Sequence, residues 1–379
     1  MNTTSVVRPG SLDEAASALR GLSNAGARVR PAGAGSRAAW GGPDPADTVT
    51  VETSGLAEIV AHNPGDFTAV VQAGVPFAAL QRHLAREGQW LALDPPDLGG
   101  TVGGLVATAD SGPARHRYGG VRDLVIGITV VLSDGSVARS GGTVIKNVAG
   151  YDLGKLFAGS YGTLGLIAQV ALRLHPLPAR TATVVGTTGD PRRLAGAVAA
   201  MSRRPLEATA LDVAWRDDTG RLLVRFGGMT APARAGDAAT LLTELTGATL
   251  DVAVALDDEP LWATQLAGQR GPAVVKVSAL PTDLPAVVAA AGAGGASVVS
   301  RAALGVSWLS FPDGPDLAER VAAARAALAP HATVVLDGAD RVADPWPVPS
   351  AGVRELTRRV KARFDPTGTF RPGTYVGGI

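Results

Sequence analysis

The stretch KNVAGYDLGKLFAGSYGTLG, residues 146–165, places glycines every three to five positions directly ahead of the apolar run from Leu164 to Leu174. The run is apolar enough to predict a buried strand. Because glycine has no Cβ, a glycine-rich segment lets the backbone come close to a ligand or to another part of the chain. The stretch therefore predicts a loop that leaves space for a ligand beside a buried strand.

Two earlier segments are also rich in glycine: RPAGAGSRAAWGG at residues 30–42 and DPPDLGGTVGGLVATADSG at residues 94–112. Gly33, Gly35 and Ala38 fit a dinucleotide fingerprint, but Pro43 and Pro45 exclude the long helix that a Rossmann turn requires. What remains is either a nest of backbone N–H groups able to hold a pyrophosphate or an ordinary glycine turn. Three such loops together favour one extended cofactor with a flat ring and a diphosphate.

Composition narrows the class of protein. A chain of 379 residues predicts two domains. The formal charge is +1 and the charged residues form no blocks, so the sequence gives no sign of a basic surface for nucleic acid. The absence of cysteine excludes disulfides, thiolate zinc sites, iron–sulfur ligation and a cysteine nucleophile in this chain. The N-terminal sequence does not fit a secretory signal, and no apolar run reaches 18 residues, which predicts a cytoplasmic protein.

After the proline pair Pro176 and Pro178, glycine-rich loops give way to regularly alternating strand and helix patterns. This change predicts a domain boundary. Beyond it, strand and helix patterns recur in the order of a split β-α-β unit, which predicts one antiparallel sheet backed by helices. The strand patterns lie at residues 181–187, 207–215, 220–227, 273–279, 296–300, 305–311 and 332–336, and the helix patterns at 190–202, 233–246, 282–292 and 316–329. A basic helix at residues 352–364 is predicted to pack back on the first half.

The glycine-rich segments resemble a known family. AGAGSR (32–37), TVGGLVATADSG (101–112), RYGGVRDLVIG (117–127), KNVAGYDLGKL (146–156) and GSYGTLGLI (159–167) are similar to the FAD-binding domain of the vanillyl-alcohol oxidase, or PCMH, type. KARFDPTGTFRPG (361–373) is similar to the C-terminal signature of that superfamily. Within it, the spacing is most like that of the FAD-binding accessory subunits of bacterial glycolate oxidases. The resemblance is strong over residues 27–178 and the tail, and weak between 180 and 350.

The resemblance implies an α+β fold with three parts. Residues 1–178 would form the PCMH-type FAD-binding domain, built from two α/β subdomains. Residues 179–350 would form an α+β cap or substrate-type domain with ferredoxin-like repeats in an antiparallel sheet, and residues 351–379 a helix and tail that return to the FAD domain.

The resemblance also implies which residues contact FAD. The first loop would hold the pyrophosphate, and the second and third loops would line the pyrophosphate, the flavin edge and the rest of the dinucleotide. The implied contacts are Ala32, Gly33, Ala34, Gly35, Ser36, Arg37, Gly100, Thr101, Val102, Gly103, Gly104, Ser111, Gly112, Lys146, Tyr151, Gly162, Leu164, Gly165 and Ile167.

Two of these residues, Tyr151 and Lys146, each have a second interpretation. Tyr151, with Asp152, either orders a loop that faces the flavin or is a packed aromatic residue. Lys146 either offsets cofactor charge or is an exposed surface lysine.

Departures from the family pattern limit the chemistry. Ser36 stands where many relatives carry the histidine that binds FAD covalently, so noncovalent FAD is expected. His331 is the only histidine after residue 175, which leaves no histidine cluster for a metal, and no metal is expected. Thr374 stands where an arginine is common. The remaining histidines, including His116 after the second loop, are expected to be structural or exposed.

No catalytic base can be named, so the catalytic residues stay unknown. This favours an FAD-binding subunit of a glycolate oxidase-type complex that acts on a small 2-hydroxy acid in glyoxylate metabolism. Its partners would be a sister FAD-binding catalytic subunit and an iron–sulfur subunit, in the cytoplasm or at the inner face of the membrane through those partners. A self-sufficient FAD oxidase for another alcohol or hydroxy acid and a non-redox scaffold are the alternatives; Ala32 and Ala34, where relatives often carry glycine, point to the scaffold.

Overall fold

The computed structural model describes residues 5–143, 150–342 and 344–379. Helices and strands alternate along most of the chain. The strands are β1 (Val6–Val7), β2 (Val29–Ala32), β3 (Val49–Glu52), β4 (Ile59–Asn63), β5 (Thr68–Gln72), β6 (Gln89–Trp90), β7 (Val125–Val131), β8 (Val137–Gly141), β9 (Leu166–Arg173), β10 (His175–Pro176), β11 (Thr181–Thr188), β12 (Ala210–Arg216), β13 (Thr219–Gly227), β14 (Asp251–Ala255), β15 (Ala273–Ser278), β16 (Ser297–Arg301), β17 (Val306–Phe311) and β18 (Ala332–Val335).

The helices complete the inventory. They are α1 (Leu12–Asn24), α2 (Phe77–Ala85), α3 (Val102–Thr108), α4 (Arg115–Tyr118), α5 (Val121–Leu124), α6 (Leu153–Phe157), α7 (Pro191–Ser202), α8 (Ala231–Thr246), α9 (Glu259–Ala267), α10 (Leu284–Ala293), α11 (Leu317–Ala327) and α12 (Ala351–Phe364). Among the described residues, every helix is too short or too polar to cross a lipid bilayer.

The chain divides into two compact units. The first comprises Met1–Ser111, Gly119–Leu177 and Val348–Ile379, and the second Gly112–Tyr118 and Pro178–Pro347. The short segment Gly112–Tyr118 differs from the predicted domain 1–178, because it belongs with the second unit. Its helix α4 contacts β12, and the Arg117 Nη1 donates to the Glu207 carbonyl oxygen at 3.4 Å.

The first unit contains two main sheets. Strands β1, β3 and β2 form a parallel sheet, and β4, β5, β9, β7 and β8 form an antiparallel sheet in that order. Strand β9, the apolar run after the third glycine-rich loop, lies at the centre of the second sheet and is buried along most of its length, as its sequence predicts.

The C-terminal tail takes part in the core of the first unit. Phe370 is fully buried in one cluster with Leu19 of α1 and Leu166 of β9. The tail lies beside β2, since the Val29 N–H donates to the Thr369 carbonyl at 2.7 Å and the Arg371 N–H donates to the Val29 carbonyl at 3.0 Å. The last residues of the chain therefore fix the strand from which the first glycine-rich loop departs.

The second unit is one eight-stranded antiparallel sheet, ordered β14-β11-β13-β12-β16-β17-β15-β18. Each half is a β-α-β-β-α-β repeat, and the pairing of β12 with β16 joins the two halves. The predicted α+β class with ferredoxin-like repeats is confirmed. Helices α7, α8, α10 and α11 pack on one face through a large apolar cluster. The sequence patterns missed β14 and α9, because β14 is a short, largely exposed edge strand and α9 has little apolar periodicity.

Candidate cofactor-binding site

A cleft of about 800 Å³ lies in the first unit, where the three glycine-rich loops meet. The predicted contact residues that line it are Ala32, Gly33, Ala34, Gly35, Ser36, Arg37, Thr101, Gly103, Gly104, Gly162, Gly165 and Ile167. Residues far apart in the sequence thus share one cavity.

The first and second loops touch through glycine. A Cβ built on Gly33 would lie 2.1 Å from the Thr101 Oγ1, and a Cβ on Gly100 would lie 2.5 Å from the Arg37 Nη1. Thr101 is itself fixed, because its Oγ1 caps α3 by accepting from the Gly104 N–H at 3.2 Å. The two loops can approach this closely only because no side chain is present at these glycines.

The third loop joins the other two through its backbone. The Tyr161 N–H donates to the Ala107 carbonyl at 2.8 Å, and the Gly159 N–H donates to the Val106 carbonyl at 3.1 Å. Gly162 adopts a φ of +72°, and a Cβ there would meet the ring of Pro31 at 3.4 Å. The third loop is therefore in contact with both α3 and the start of the first loop.

The first loop offers main-chain donors to the cleft. Gly35 has a φ of +76°, and a Cβ there would point into open space. Among the described residues, the N–H groups of Ala34, Gly35 and Ser36 have no acceptor. Successive free N–H groups in a turn form an anion-binding nest, so this loop fits the diphosphate of a dinucleotide.

The guanidinium of Arg37 is already bound by protein groups, so Arg37 is not simply a phosphate ligand. Its guanidinium binds the Asp110 carboxylate, with the Nη2 at 2.8 Å and the Nε at 2.9 Å from Oδ2, and both side chains are almost fully buried. The Arg37 Nη1 also donates to the Ser36 Oγ at 2.8 Å. Arg37 thus ties the first loop to the second, and Asp110 neutralises its charge.

A second charged group includes two arginines that line the cleft. The Asp44 carboxylate accepts from two cleft-lining arginines: the Arg371 Nε at 2.6 Å and the Arg30 Nη1 at 3.1 Å. The Arg371 Nη1 also donates to the Tyr161 carbonyl at 3.0 Å. We call Arg30, Asp44 and Arg371 the arginine clamp. It connects the tail to the first and third loops and carries two positive charges against one negative charge.

Lys361 anchors the tail next to the third loop. Its Nζ donates to the Thr163 carbonyl at 2.6 Å, to the Phe370 carbonyl at 2.5 Å and to the Asp365 Oδ2 at 2.6 Å. Burial lowers the pKa of Lys361, while the hydrogen bond and charge of Asp365 act in the opposite direction. The lysine of the terminal signature is therefore a structural crosslink between α12, the tail and the third loop.

Replacing this crosslink should be costly. Lys361→Met leaves the Asp365 carboxylate and two carbonyls without their cation, which we expect to lower the free energy of unfolding by about 3 kcal/mol. Chemical denaturation measures this loss. The control is Lys155→Met, which removes an exposed ion pair to Asp152 and should change stability by less than about 1 kcal/mol. Equal losses in both variants would contradict the role of Lys361.

Other predicted residues lie outside the lining of the cleft. Val102 and Leu164 are buried side chains next to it, and Gly100 packs against the first loop. Ser111 is buried at the end of the second loop, and Gly112 belongs to the second unit.

The sequence left two interpretations open for Tyr151 and for Lys146. Tyr151 is 91% exposed, so its interpretation as a packed aromatic residue is wrong. Lys146 falls outside the described residues.

Sequence reasoning missed several residues that line the cleft. The main ones are Arg30, Thr53, Ala73, Tyr161 and Arg371. Arg30, Tyr161 and Arg371 are within the quoted motifs, but nothing local shows that their side chains or carbonyls meet. Burial raises the pKa of Tyr161, so its phenol stays protonated and is a donor rather than a base.

The histidines take structural positions. The His62 Nε2 and the Gln89 Oε1 are 3.1 Å apart, and the His62 ring lies against the His83 ring. His116 is in the second unit, where burial, with Arg117 nearby, lowers its pKa. Within the described ranges, no three His, Cys, Asp or Glu side chains are grouped to hold a metal ion.

Comparison with known proteins defines the class. A model of the FAD binding domain matches residues 3–141. The chain therefore contains an FAD-binding domain of the PCMH type, and FAD is its cofactor.

Three individual proteins are similar to this chain over part of its length. The chain is 37% identical over 148 residues to the glycolate oxidase subunit GlcE of Escherichia coli, which covers 38% of this chain and 42% of that protein. It is 32% identical over 181 residues to the glycolate oxidase subunit GlcD of Bacillus subtilis, which covers 48% and 38%. It is 36% identical over 141 residues to a mitochondrial cytochrome-type D-lactate dehydrogenase of Arabidopsis thaliana, which covers 37% and 25%. The matches thus span less than half the length of these relatives.

A solved structure extends the likeness in fold. Alkyldihydroxyacetonephosphate synthase superposes with a TM-score of 0.68 at 16% identity, over 96% of this chain and 75% of that chain. At this identity the likeness shows the fold alone.

Proposed function

We propose that the chain is the noncovalent FAD-binding subunit of a glycolate oxidase-type complex that oxidises a small 2-hydroxy acid. The observation that carries the proposal is the meeting of three glycine-rich loops in one cleft, with free main-chain donors on the first loop. Bound there, the flavin supplies the two-electron oxidant for the hydroxy acid. The similarity to two glycolate oxidase subunits supports the choice of substrate class.

The lining of the cleft supports an accessory or electron-carrying role. Among its described residues there is no His, Asp, Glu or Lys, and the Tyr161 phenol has a raised pKa. Oxidation of a hydroxy acid needs a base for the hydroxyl proton close to the flavin. In this proposal that base belongs to a sister FAD-binding subunit.

The absence of cysteine also bears on how electrons leave the flavin. The chain has no cysteine and cannot ligate an iron–sulfur cluster by thiolates. We therefore place that cluster on another subunit of the complex. A cytoplasmic location, alone or at the inner face of the membrane through these partners, stays a prediction.

Purification of the full chain tests the proposal. We expect a yellow protein that releases FAD on acid precipitation, since Ser36 stands where covalent attachment would need a histidine. Mixed anaerobically with glycolate, the isolated chain should bleach its flavin slowly compared with the assembled complex.

Two results would contradict the proposal. Rapid bleaching by the isolated chain would make it a self-sufficient oxidase. A colourless chain that cannot be reconstituted with FAD would make it a scaffold.

A further inference from the structure

The second unit contains a buried polar cluster on the face of the sheet opposite its four packed helices. Successive strand residues point to opposite faces, and the neighbours Leu211 and Val213 belong to the helix-side core, so Asp212 points the other way. Arg301 of β16 and Trp308 of β17 share this face with it. Gln265 of α9 reaches the same cluster through a hydrogen bond to Asp212. The side chains of Asp212, Arg301, Trp308 and Gln265 are each at most 2% exposed.

The cluster is organised around one ion pair. The Arg301 Nη1 binds the Asp212 Oδ2 at 2.7 Å, and the Gln265 Nε2 donates to the same oxygen at 2.9 Å. The Arg301 guanidinium lies over the Trp308 ring, 4.8 Å from its centroid. The arginine is thereby held in one orientation.

The same side chains have unused hydrogen-bonding atoms. Among the described residues, no partner meets the Arg301 Nε and Nη2, the Trp308 Nε1 or the Asp212 Oδ1. Buried polar atoms without partners are rare because each costs free energy. A group of them around one arginine calls for a ligand rather than for a stability role alone.

The arrangement of the free atoms indicates the chemistry of that ligand. The Arg301 Nε and Nη2 form one edge of the guanidinium, with parallel donors that match the two oxygens of a carboxylate. The Trp308 Nε1 adds a donor, and the Asp212 Oδ1 adds an acceptor for a hydroxyl group. We propose that this cluster binds a small carboxylate that carries a neighbouring hydroxyl, with the carboxylate on the free edge of Arg301 and the hydroxyl on Asp212. The choice of ligand rests on the proposed function, and the proposal assigns binding and no chemical step.

A route to the cluster runs past Gln265. An open groove of about 890 Å³ is lined by Gln265 and Gly268 and by Val299 of β16. The Gln265 amide separates this groove from the ion pair, since it donates to Asp212. In this proposal, a ligand entering from the groove displaces this one amide.

Calorimetric titration of the full chain with glycolate, D-lactate and acetate tests the site. Glycolate and D-lactate should bind at least about tenfold more tightly than acetate, which lacks the hydroxyl. Arg301→Lys keeps the charge but loses the parallel donors, and should weaken glycolate binding at least about tenfold. Trp308→Phe keeps the ring under Arg301 and removes only the N–H, and should weaken it about three- to tenfold.

A matched control lies on the same sheet. Arg225 already holds Asp258 through its Nε and Nη2 at 3.0 and 2.9 Å and has no free edge for a ligand. Arg225→Lys should leave glycolate affinity unchanged. If Arg301→Lys does not fold, Trp308→Phe decides.

Absence of glycolate binding, or an equal dissociation constant in the native chain and Trp308→Phe, would overturn the inference and leave a sealed structural ion pair. FAD content, read from the absorption spectrum of the same samples, separates the two proposals. A chain that keeps FAD but binds no carboxylate contradicts only the cluster, and a chain that binds glycolate without FAD contradicts only the proposed function.

Discussion

Gly33→Ala should lower the affinity of the chain for FAD roughly 10- to 100-fold, since overpacking costs about 1–3 kcal/mol. The new Cβ would lie 2.1 Å from the Thr101 Oγ1 and 2.9 Å from its Cγ2. Thr101 cannot turn aside without giving up its cap on α3. The first loop must therefore move, and with it the main-chain donors that face the cleft. Titration of the flavin-free variant with FAD measures the loss.

Gly21→Ala is the matched control for this substitution. Gly21 lies within α1, and a Cβ there meets no atom within 4 Å. We expect unchanged FAD affinity and a small gain in stability, because alanine is the better helix former. Wild-type affinity in Gly33→Ala would mean that the contact between the first two loops does not shape the cofactor site.

Arg371→Gln should both destabilise the chain and weaken FAD binding. The Arg371–Asp44 pair is largely buried, and its loss leaves Asp44, among the described residues, with the longer contact to Arg30. We expect about 3 kcal/mol less unfolding free energy. We also expect at least about tenfold weaker FAD binding, because the cleft loses a positive charge and the third loop loses one of its bonds to the tail. Denaturation and FAD titration give the two quantities separately.

The control for the arginine clamp is Arg8→Gln. Arg8 binds Glu52 at 2.8 Å on the surface of the same unit, so its removal should cost less than about 1 kcal/mol and leave FAD affinity unchanged. A stable Arg371→Gln chain with wild-type affinity would show that the clamp neither holds the loops nor meets the cofactor.

The sequence predicted the loops of the cleft better than its charged groups. Glycine marks a close approach by its own identity, so the glycine-rich pattern around Gly33, Gly103 and Gly162 could predict a ligand site, and all three line the cleft. The arginine clamp could not be assigned in this way, because Asp44 and Arg371 are 327 positions apart and neither has a distinctive local context. Arg37 lines the cleft, but its partner Asp110 could not be inferred from spacing.

The second unit was predicted because its repeats are regular. Alternating apolar positions in strands such as β13 and the apolar face of α7 are strong local signals. Strand β14 and helix α9 lack such signals, because β14 is mostly exposed and α9 packs through Trp262 and Gln265 rather than an apolar stripe. Gly112–Tyr118 was assigned to the wrong unit because its contact with β12 spans about 90 residues of sequence.

The central claim is that three separated glycine-rich loops together hold one FAD. Titration of the flavin-free full chain with FAD, followed by the visible absorption and fluorescence of the flavin, tests it most directly. The account predicts saturation at one FAD per chain, with weaker binding in Gly33→Ala and Arg371→Gln but not in Gly21→Ala or Arg8→Gln. Binding of FAD with equal affinity by all five chains would contradict it.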